Sequence, residues 1–290
     1  MIIREKNIPD PWRQNIKSPM IHIHSGIYAK LETSNPTGSV KDRLIQHLVK
    51  KAVSREEITT DTVFVEATSG NTGISLAAIG AALGVRVKII MPENMSEERR
   101  QMMKAFGAEI MNVAPSDFAG AIQKRNELVS SSGSYWSPMQ FENRENIECH
   151  KIYTAAEIID QLEGKRFSAF VSGAGTGGTI MGVREAVVER SMGTHMVLVK
   201  PSEDAKSHGI QGINDGADFL AEPDLLDLQL KVSTQAAIDR SKIFASNRGV
   251  LVGISAGANI CAAEEYCRLY KPAGAVVTML CDRGERYLSK

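Results

Sequence analysis

No run of about 18 apolar residues occurs in this chain, so no segment is long enough to span a bilayer as a helix. The opening Met1-Ile2-Ile3-Arg4-Glu5-Lys6 has no apolar core of the kind a secretory signal needs. Neither sign of charge dominates, since 34 Lys and Arg balance 34 Asp and Glu. Such a chain has no global field to attract nucleic acid or an anionic membrane, which leaves a small molecule as the expected partner. Cysteine is scarce: Cys149, Cys261, Cys267 and Cys281 show neither a disulfide framework nor the paired short spacing of a zinc site. No metal is expected, and the thiols suit the reducing cytoplasm. Internal repeats, low-complexity tracts and long linkers are also missing. What remains is an ordinary globular composition, 43% hydrophobic and 23% charged, in a chain of 290 residues, enough for two modest domains with a core each.

Strand and helix patterns alternate along most of that length. Residues 20–24 alternate apolar and polar as an edge strand does, 27–31 read as a short strand, and 40–55 as a helix. Strands follow at 62–65, 85–91 and 108–113, with helices at 74–83 and 96–106, the latter capped by Ser96. A second series has helices at 146–162, 179–189, 232–247 and 255–269, and strands at 167–171, 196–199, 251–253 and 275–280. Residues 201–227 read as mostly irregular, and the first 26 are poorly patterned. This alternation predicts an α/β fold, two three-layer αβα lobes with mostly parallel sheets, whose ligands sit at the carboxyl ends of the strands.

Four turns leading into helices carry chemistry. In Asn35-Pro36-Thr37-Gly38-Ser39-Val40-Lys41-Asp42-Arg43 a turn and a favoured N-cap, Ser39, lead into a helix at about Val40. An ammonium there faces the positive end of the helix dipole, and partial burial acts the same way. Both favour the free amine of Lys41, a nucleophile toward an aldehyde. An ordinary basic residue at a helix start would look the same.

Gly173-Ala174-Gly175-Thr176-Gly177-Gly178-Thr179 follows a strand and opens a helix, so its amides and the hydroxyls of Thr176 and Thr179 suit a phosphate. Its match to GxGxxG leaves a dinucleotide site open, although Lys200 stands where a ribose-binding carboxylate is wanted. Thr68-Ser69-Gly70-Asn71-Thr72-Gly73 is a similar turn crowded with short polar side chains, fit for a carboxylate or merely for capping. Ser255, between a strand and a helix in Gly253-Ile254-Ser255-Ala256-Gly257, serves equally as a plain N-cap or as a neutral partner of a pyridine nitrogen. A phosphate, an aldehyde and an amino-acid carboxylate together describe pyridoxal phosphate with an amino-acid substrate.

Together these motifs resemble the fold-type II pyridoxal-phosphate enzymes, in particular the cysteine synthase (O-acetylserine sulfhydrylase) and cystathionine β-synthase family. The resemblance covers nearly the whole chain and includes Gln140-Phe141-Glu142-Asn143 and Gly284-Glu285-Arg286-Tyr287. It implies a tryptophan synthase β-like fold with a smaller lobe at 36–145 and a larger one from 1–35 and 146–290. By position, Lys41 would hold the cofactor as a Schiff base and Asn71 its 3-hydroxyl. Gly175, Thr176, Gly177, Gly178 and Thr179 would hold its phosphate, and Ser255 would face its ring nitrogen. Thr68, Ser69, Gly70, Asn71, Thr72 and Gln140 would bind the substrate. The implied reaction is β-replacement through an aminoacrylate: O-acetyl-L-serine and sulfide giving L-cysteine and acetate, in a cytoplasmic homodimer.

Several positions depart from the family pattern. Glu66-Ala67-Thr68 stands for Glu-Pro-Thr, Lys200 for the acidic residue of Val-Glu-Pro, Ser255-Ala256 for Ser-Ser, and Ser18-Pro19-Met20 for Thr-Pro-Leu. The largest departure is at residues 209–218, where Asp215 and Asp218 enter a stretch usually read Gly-Ile-Gly-Ala-Gly-Phe. Cystathionine formation, an O-phosphoserine donor, diaminopropionate synthesis with an amine nucleophile and serine dehydration therefore stay open, as does a non-catalytic nucleotide-binding α/β protein.

Overall fold

The computed structural model describes residues 1–204, 209–210, 212–213 and 219–288. The strands in chain order are β1 (Met20–His24), β2 (Ile27–Leu31), β3 (Val63–Ala67), β4 (Arg86–Pro92), β5 (Glu109–Val113), β6 (Tyr135–Trp136), β7 (Ala169–Gly173), β8 (His195–Pro201), β9 (Leu228–Val232) and β10 (Val276–Leu280). The helices are α1 (Lys41–Ser54), α2 (Asn71–Leu83), α3 (Glu97–Ala105), α4 (Phe118–Ser131), α5 (Glu145–Cys149), α6 (Ala156–Gln161), α7 (Gly178–Glu189), α8 (Thr234–Arg248) and α9 (Ile254–Tyr270). A π-helical turn, His150–Ala155, joins α5 to α6.

The chain forms two compact units, one of Met1–Ile16 with Lys41–Met139, the other of Lys17–Val40 with Gln140–Lys290. In the first, four parallel strands run in the order β5-β4-β3-β6. Successive residues of β3 and β4 face opposite sides: Phe64, Val87 and Ile89 join a core with α1, α2 and α3, whereas Val65 and Ile90 pack toward α4. Burial on both faces explains the consecutive apolar residues Val63-Phe64-Val65 and Ile89-Ile90-Met91 in these strands.

The second unit has six strands ordered β1-β2-β10-β7-β8-β9, all parallel except β1, which pairs antiparallel with β2 at one edge. Val171, Val197 and Val276 pack against α8 and α9, while Phe170, Leu198 and Val277 pack against α7. Gly182 of α7 lets that helix approach α5 and the π turn at backbone distance; a Cβ there would lie 2.5 Å from the Ile147 carbonyl oxygen.

The sequence expectation put residues 1–35 in the larger lobe, but Met1–Ile16 belongs with Lys41–Met139. Ile3, Ile8, Trp12 and Ile16 insert into the α1–α2 core, and α1 supplies polar partners to the irregular main chain. Gln46 receives the Ile16 N–H and donates to the Trp12 carbonyl, and Arg43 donates to the Ile16 carbonyl at 2.9 Å. Burying an apolar side chain of this size contributes about 1.5–3 kcal/mol, enough to order a segment without regular structure.

Other differences have local causes. Residues 228–232 form the edge strand β9 rather than loop and helix start; one face is exposed, so its alternation is that of a half-covered strand. The expected strand at 251–253 is reduced to one bridge, Val252 with Arg283. α4, capped by Asp117 accepting from the Gly120 N–H at 2.8 Å, occupies a stretch to which no element had been assigned. Of the divergent stretch 209–218, Gln211 and residues 214–218 lie outside the described residues.

All four cysteines are free thiols. Burial, reinforced by the nearby Glu264 charge, pushes the Cys261 thiol up to about 11, and burial raises Cys267 as well. Thiolate is the reactive form, so Cys261 is expected to alkylate on the order of a hundredfold more slowly at neutral pH than an unperturbed thiol. Timed labelling with iodoacetamide and peptide mass spectrometry measures this; a rate equal to that of free cysteine would contradict it.

Candidate active site

In the first unit, Lys41 is the first residue of α1 and is half-buried. The helix starts after Val40, and Ser39, two residues before the lysine, forms a backbone bridge with Asp282. The residue after the lysine fixes the helix start: Asp42 accepts from the Ser75 hydroxyl, which also donates to the Asn71 carbonyl at 3.0 Å. The first turn of α1 is thereby held to the first turn of α2, and Lys41 and Asn71 lie on linked helix starts.

The turn 68–73 closes the carboxyl end of β3. Thr68 donates its N–H to Ile90 at 3.0 Å, and its hydroxyl accepts from the Gly70 N–H at 3.1 Å. A Cβ on Gly73 would sit 2.8 Å from Met103 Cε and 3.0 Å from Thr68 Cγ2, so a side chain there would have to displace the end of Met103. Ser69, Gly70 and Asn71 are half-buried at the helix start, and Thr68 and Thr72 are buried.

In the second unit, the segment leading up to Lys41 is fixed by residues 281–286, which run into the motif at 284–287. Val40 donates to the Cys281 carbonyl at 2.8 Å, Arg283 donates from Nε to the Thr33 carbonyl at 2.8 Å, and Arg286 donates to the Thr37 carbonyl. Gly38 adopts φ +85° under the Arg283 side chain, where a Cβ would meet Cδ at 2.6 Å. Two motifs about 250 residues apart in sequence are thus one piece of structure, and Lys41 follows directly on it.

The glycine-rich loop lies between β7 and α7. Gly177 caps α7 at φ +92°, with no room for a Cβ, which would be 2.3 Å from the Ala221 nitrogen; at Gly175 a Cβ would be 2.8 Å from the Gly212 oxygen. Thr176 is buried and Thr179 half-buried. His150, from the π turn, is fully buried, with Nε2 3.2 Å from the Thr179 hydroxyl and Nδ1 2.9 Å from that of Thr154. Asn146 is also fully buried and donates to the Gln140 carbonyl at 3.0 Å and the Thr176 hydroxyl at 2.9 Å.

Ser255 is the second residue of α9 and not its cap, a place taken by Gly253. One turn on, Asn259 accepts from the Gly173 N–H at 2.8 Å and donates to the Met279 carbonyl at 2.9 Å, joining Ser255's helix to the start of the glycine loop and to β10. Gln140, Gly175, Thr176, Gly177, Gly178, Thr179 and Ser255 therefore share one unit, while Lys41 and residues 68–72 belong to the other.

The helix starts differ in kind. α3, α4 and α8 begin on Ser96, Asp117 and Ser233, whose side-chain oxygens accept from first-turn amides. α2, α7 and α9 begin on Gly70, Gly177 and Gly253, which have no side-chain oxygen to offer. At these three starts the cap residue itself supplies no oxygen, leaving an electropositive end suited to an anion.

Asp42, Asn146, His150 and Asn259 carry these contacts without any local sequence signal, since their partners lie on other elements.

Residues 13–282 match the model of the pyridoxal-phosphate dependent enzyme family. The cysteine synthase of Staphylococcus aureus is 40% identical over 274 residues, 91% of this chain and 87% of that one. Cysteine synthase B of Campylobacter jejuni is 41% identical over 286 residues, 94% of each chain. The crystal structure of the O-acetylserine dependent cystathionine beta-synthase from Helicobacter pylori matches with a TM-score of 0.88 at 32% identity, covering 100% of this chain and 98% of that one. A lysine at the start of α1, a glycine loop without its own cap and agreement over nearly the full length lead to one conclusion: the chain belongs to the pyridoxal-phosphate dependent enzyme family, as an enzyme of the cysteine synthase type.

Proposed function

We propose that this enzyme replaces the β-substituent of an amino acid, taking O-acetyl-L-serine and sulfide to L-cysteine and acetate. The donor set fits the cofactor: glycine amides and two hydroxyls at the start of α7 suit a phosphate dianion, and Lys41 supplies the amine that an aldehyde needs. When bound, pyridoxal phosphate supplies an aldehyde that condenses with amines and a ring that withdraws electrons from the substrate Cα.

The observation that carries β-replacement is the position of Ser255. Its hydroxyl is not used as the cap of α9, and as the partner of the ring nitrogen it offers a neutral group in place of a carboxylate. A neutral partner does not hold that nitrogen protonated, which weakens the electron sink and favours loss and replacement at Cβ over transamination. Lys41 would hold the cofactor through its amine and, as a free amine, would take the Cα proton as general base. Thr68, Ser69, Gly70, Asn71, Thr72 and Gln140 receive the substrate carboxylate, Asn71 also facing the ring hydroxyl. Gly175, Thr176, Gly177, Gly178 and Thr179 hold the phosphate. The balanced charge and free thiols support a cytoplasmic enzyme with small-molecule partners, and the family resemblance supports a homodimer, checked by light scattering.

Cystathionine formation is the second reading, favoured by the full-length match to the Helicobacter pylori enzyme. Initial rates with O-acetyl-L-serine, O-phospho-L-serine and L-serine, each with sulfide, homocysteine or an amine, separate the readings. O-acetylserine with sulfide is expected to exceed every other pair in kcat/KM by about tenfold or more. Cystathionine formed faster than cysteine, or a response to O-phosphoserine alone, would overturn it.

A further inference from the structure

Asn146 stands where two parts of the second unit meet, and its amide can face only one way. The Gln140 carbonyl oxygen accepts and cannot donate, so the group 3.0 Å from it has to be the Asn146 NH2. The same NH2 is 2.9 Å from the Thr176 hydroxyl, which must therefore accept there. The Gly178 N–H also points to that oxygen at 3.4 Å. A hydroxyl oxygen has two acceptor positions, and both are now taken. Its proton alone is left, with no acceptor among the described residues.

We propose that Asn146 is a positioning residue that presets the Thr176 hydroxyl as a donor to the cofactor phosphate while tethering the main chain of Gln140. The proposal rests on the assignment of the glycine loop to that phosphate. The amide lies flat against α7, where a Cβ on Gly178 would be 2.0 Å from Asn146 Oδ1, so the glycine supplies the space the amide needs. Oδ1 itself has no hydrogen-bond partner among the described residues. A buried acceptor left unsatisfied costs free energy, and the geometry keeps it in order to direct Nδ2 at two acceptors together. Loop packing alone would be served as well by an apolar side chain.

The test compares affinities of cofactor-free protein for pyridoxal phosphate and for pyridoxal, which lacks the phosphate. The proteins are the wild type, Asn146→Ala, Asn146→Asp, Thr176→Val and the double variant Asn146→Ala with Thr176→Val. Asn146→Asp keeps the shape, but its carboxylate accepts the Thr176 proton and turns it from the ligand. Both Asn146 variants are expected to lose about tenfold or more in affinity for pyridoxal phosphate while holding pyridoxal within about twofold. On the Thr176→Val background, Asn146→Ala is expected to add less than about twofold, because its route through the hydroxyl is gone. The 31P resonance of the bound cofactor is expected to shift in each single variant. Equal losses for the two ligands, or additive losses in the double variant, would overturn the proposal. Failure of the phosphate assignment reads differently: the wild type would then bind pyridoxal as tightly as pyridoxal phosphate, and Thr176→Val would change neither.

Discussion

Lys41→Ala is expected to fold, to take up pyridoxal phosphate without a covalent bond, and to turn over O-acetyl-L-serine about a thousandfold more slowly or worse, since loss of a general base alone removes about 10²–10⁴ in rate. Folding should survive because the residues on either side of the lysine are held independently of it: Asp42 by Ser75, and Val40 by the Cys281 carbonyl. Alanine is also the residue most favourable to a helix. Covalent attachment is read by borohydride reduction followed by peptide mass spectrometry. The wild type should carry the reduced cofactor on the peptide containing Lys41, and the variant should carry none. A small exogenous amine should restore part of the rate, since it can take the Cα proton but cannot be delivered by α1. Retained labelling at another lysine, or a rate within about tenfold of wild type, would remove Lys41 from both roles.

The strands that place the site were legible because they are buried on both faces. β3, β4, β7 and β10 each carry consecutive apolar residues, such as Val63-Phe64-Val65 and Ile89-Ile90-Met91, and burial in two cores is what such runs mean. The turns after β3 and β7 were legible for a related reason: glycines and short polar residues between a strand and a helix have few other uses. Edges were harder. β9 is half exposed, and its polar face made it look like loop. The continuous helix expected at 146–162 is broken by a π turn, and that turn aims His150 at Thr179. An extra residue in a helical turn leaves almost no mark on hydrophobic periodicity, although π turns often occur at functional positions. The first 26 residues were opaque because their order comes from partners far along the chain, with Gln46 and Arg43 holding the main chain around Trp12 and Ile16. Residue type alone made Ser255 as good a cap as a ring partner, and the backbone settles the first point by starting α9 after Gly253.

Arg125→Met is expected to be the most destabilising single change outside the cofactor site, by about 3–5 kcal/mol, because it leaves a carboxylate buried without its guanidinium. Arg125 of α4 and Glu66 of β3 are both fully buried, with Nη1 3.1 Å from Oε1. The same Oε1 accepts the Ala67 N–H at 2.8 Å, and Arg125 donates from Nε and Nη2 to Asn126 at 3.0 and 2.9 Å. A buried pair contributes little net stability when whole, since desolvation offsets attraction, but removing one partner exposes the full cost of the other. For a chain of this size the midpoint of thermal unfolding should fall by about 5–8 °C. Adding Glu66→Gln should recover about half of the loss, because glutamine keeps an oxygen for the Ala67 N–H and carries no charge to strand. Ala67 immediately precedes Thr68, so loosening the end of β3 reaches the turn assigned to the substrate carboxylate. The stabilised double variant should therefore still show a KM for O-acetyl-L-serine raised by about threefold or more, with kcat less affected, as expected when binding rather than proton transfer is disturbed. Calorimetry of wild type, both single variants and the double variant gives the coupling directly. If the double variant were no more stable than Arg125→Met, the charge left behind would not be the cause, and the loss would lie in the volume and hydrogen bonds of the arginine itself.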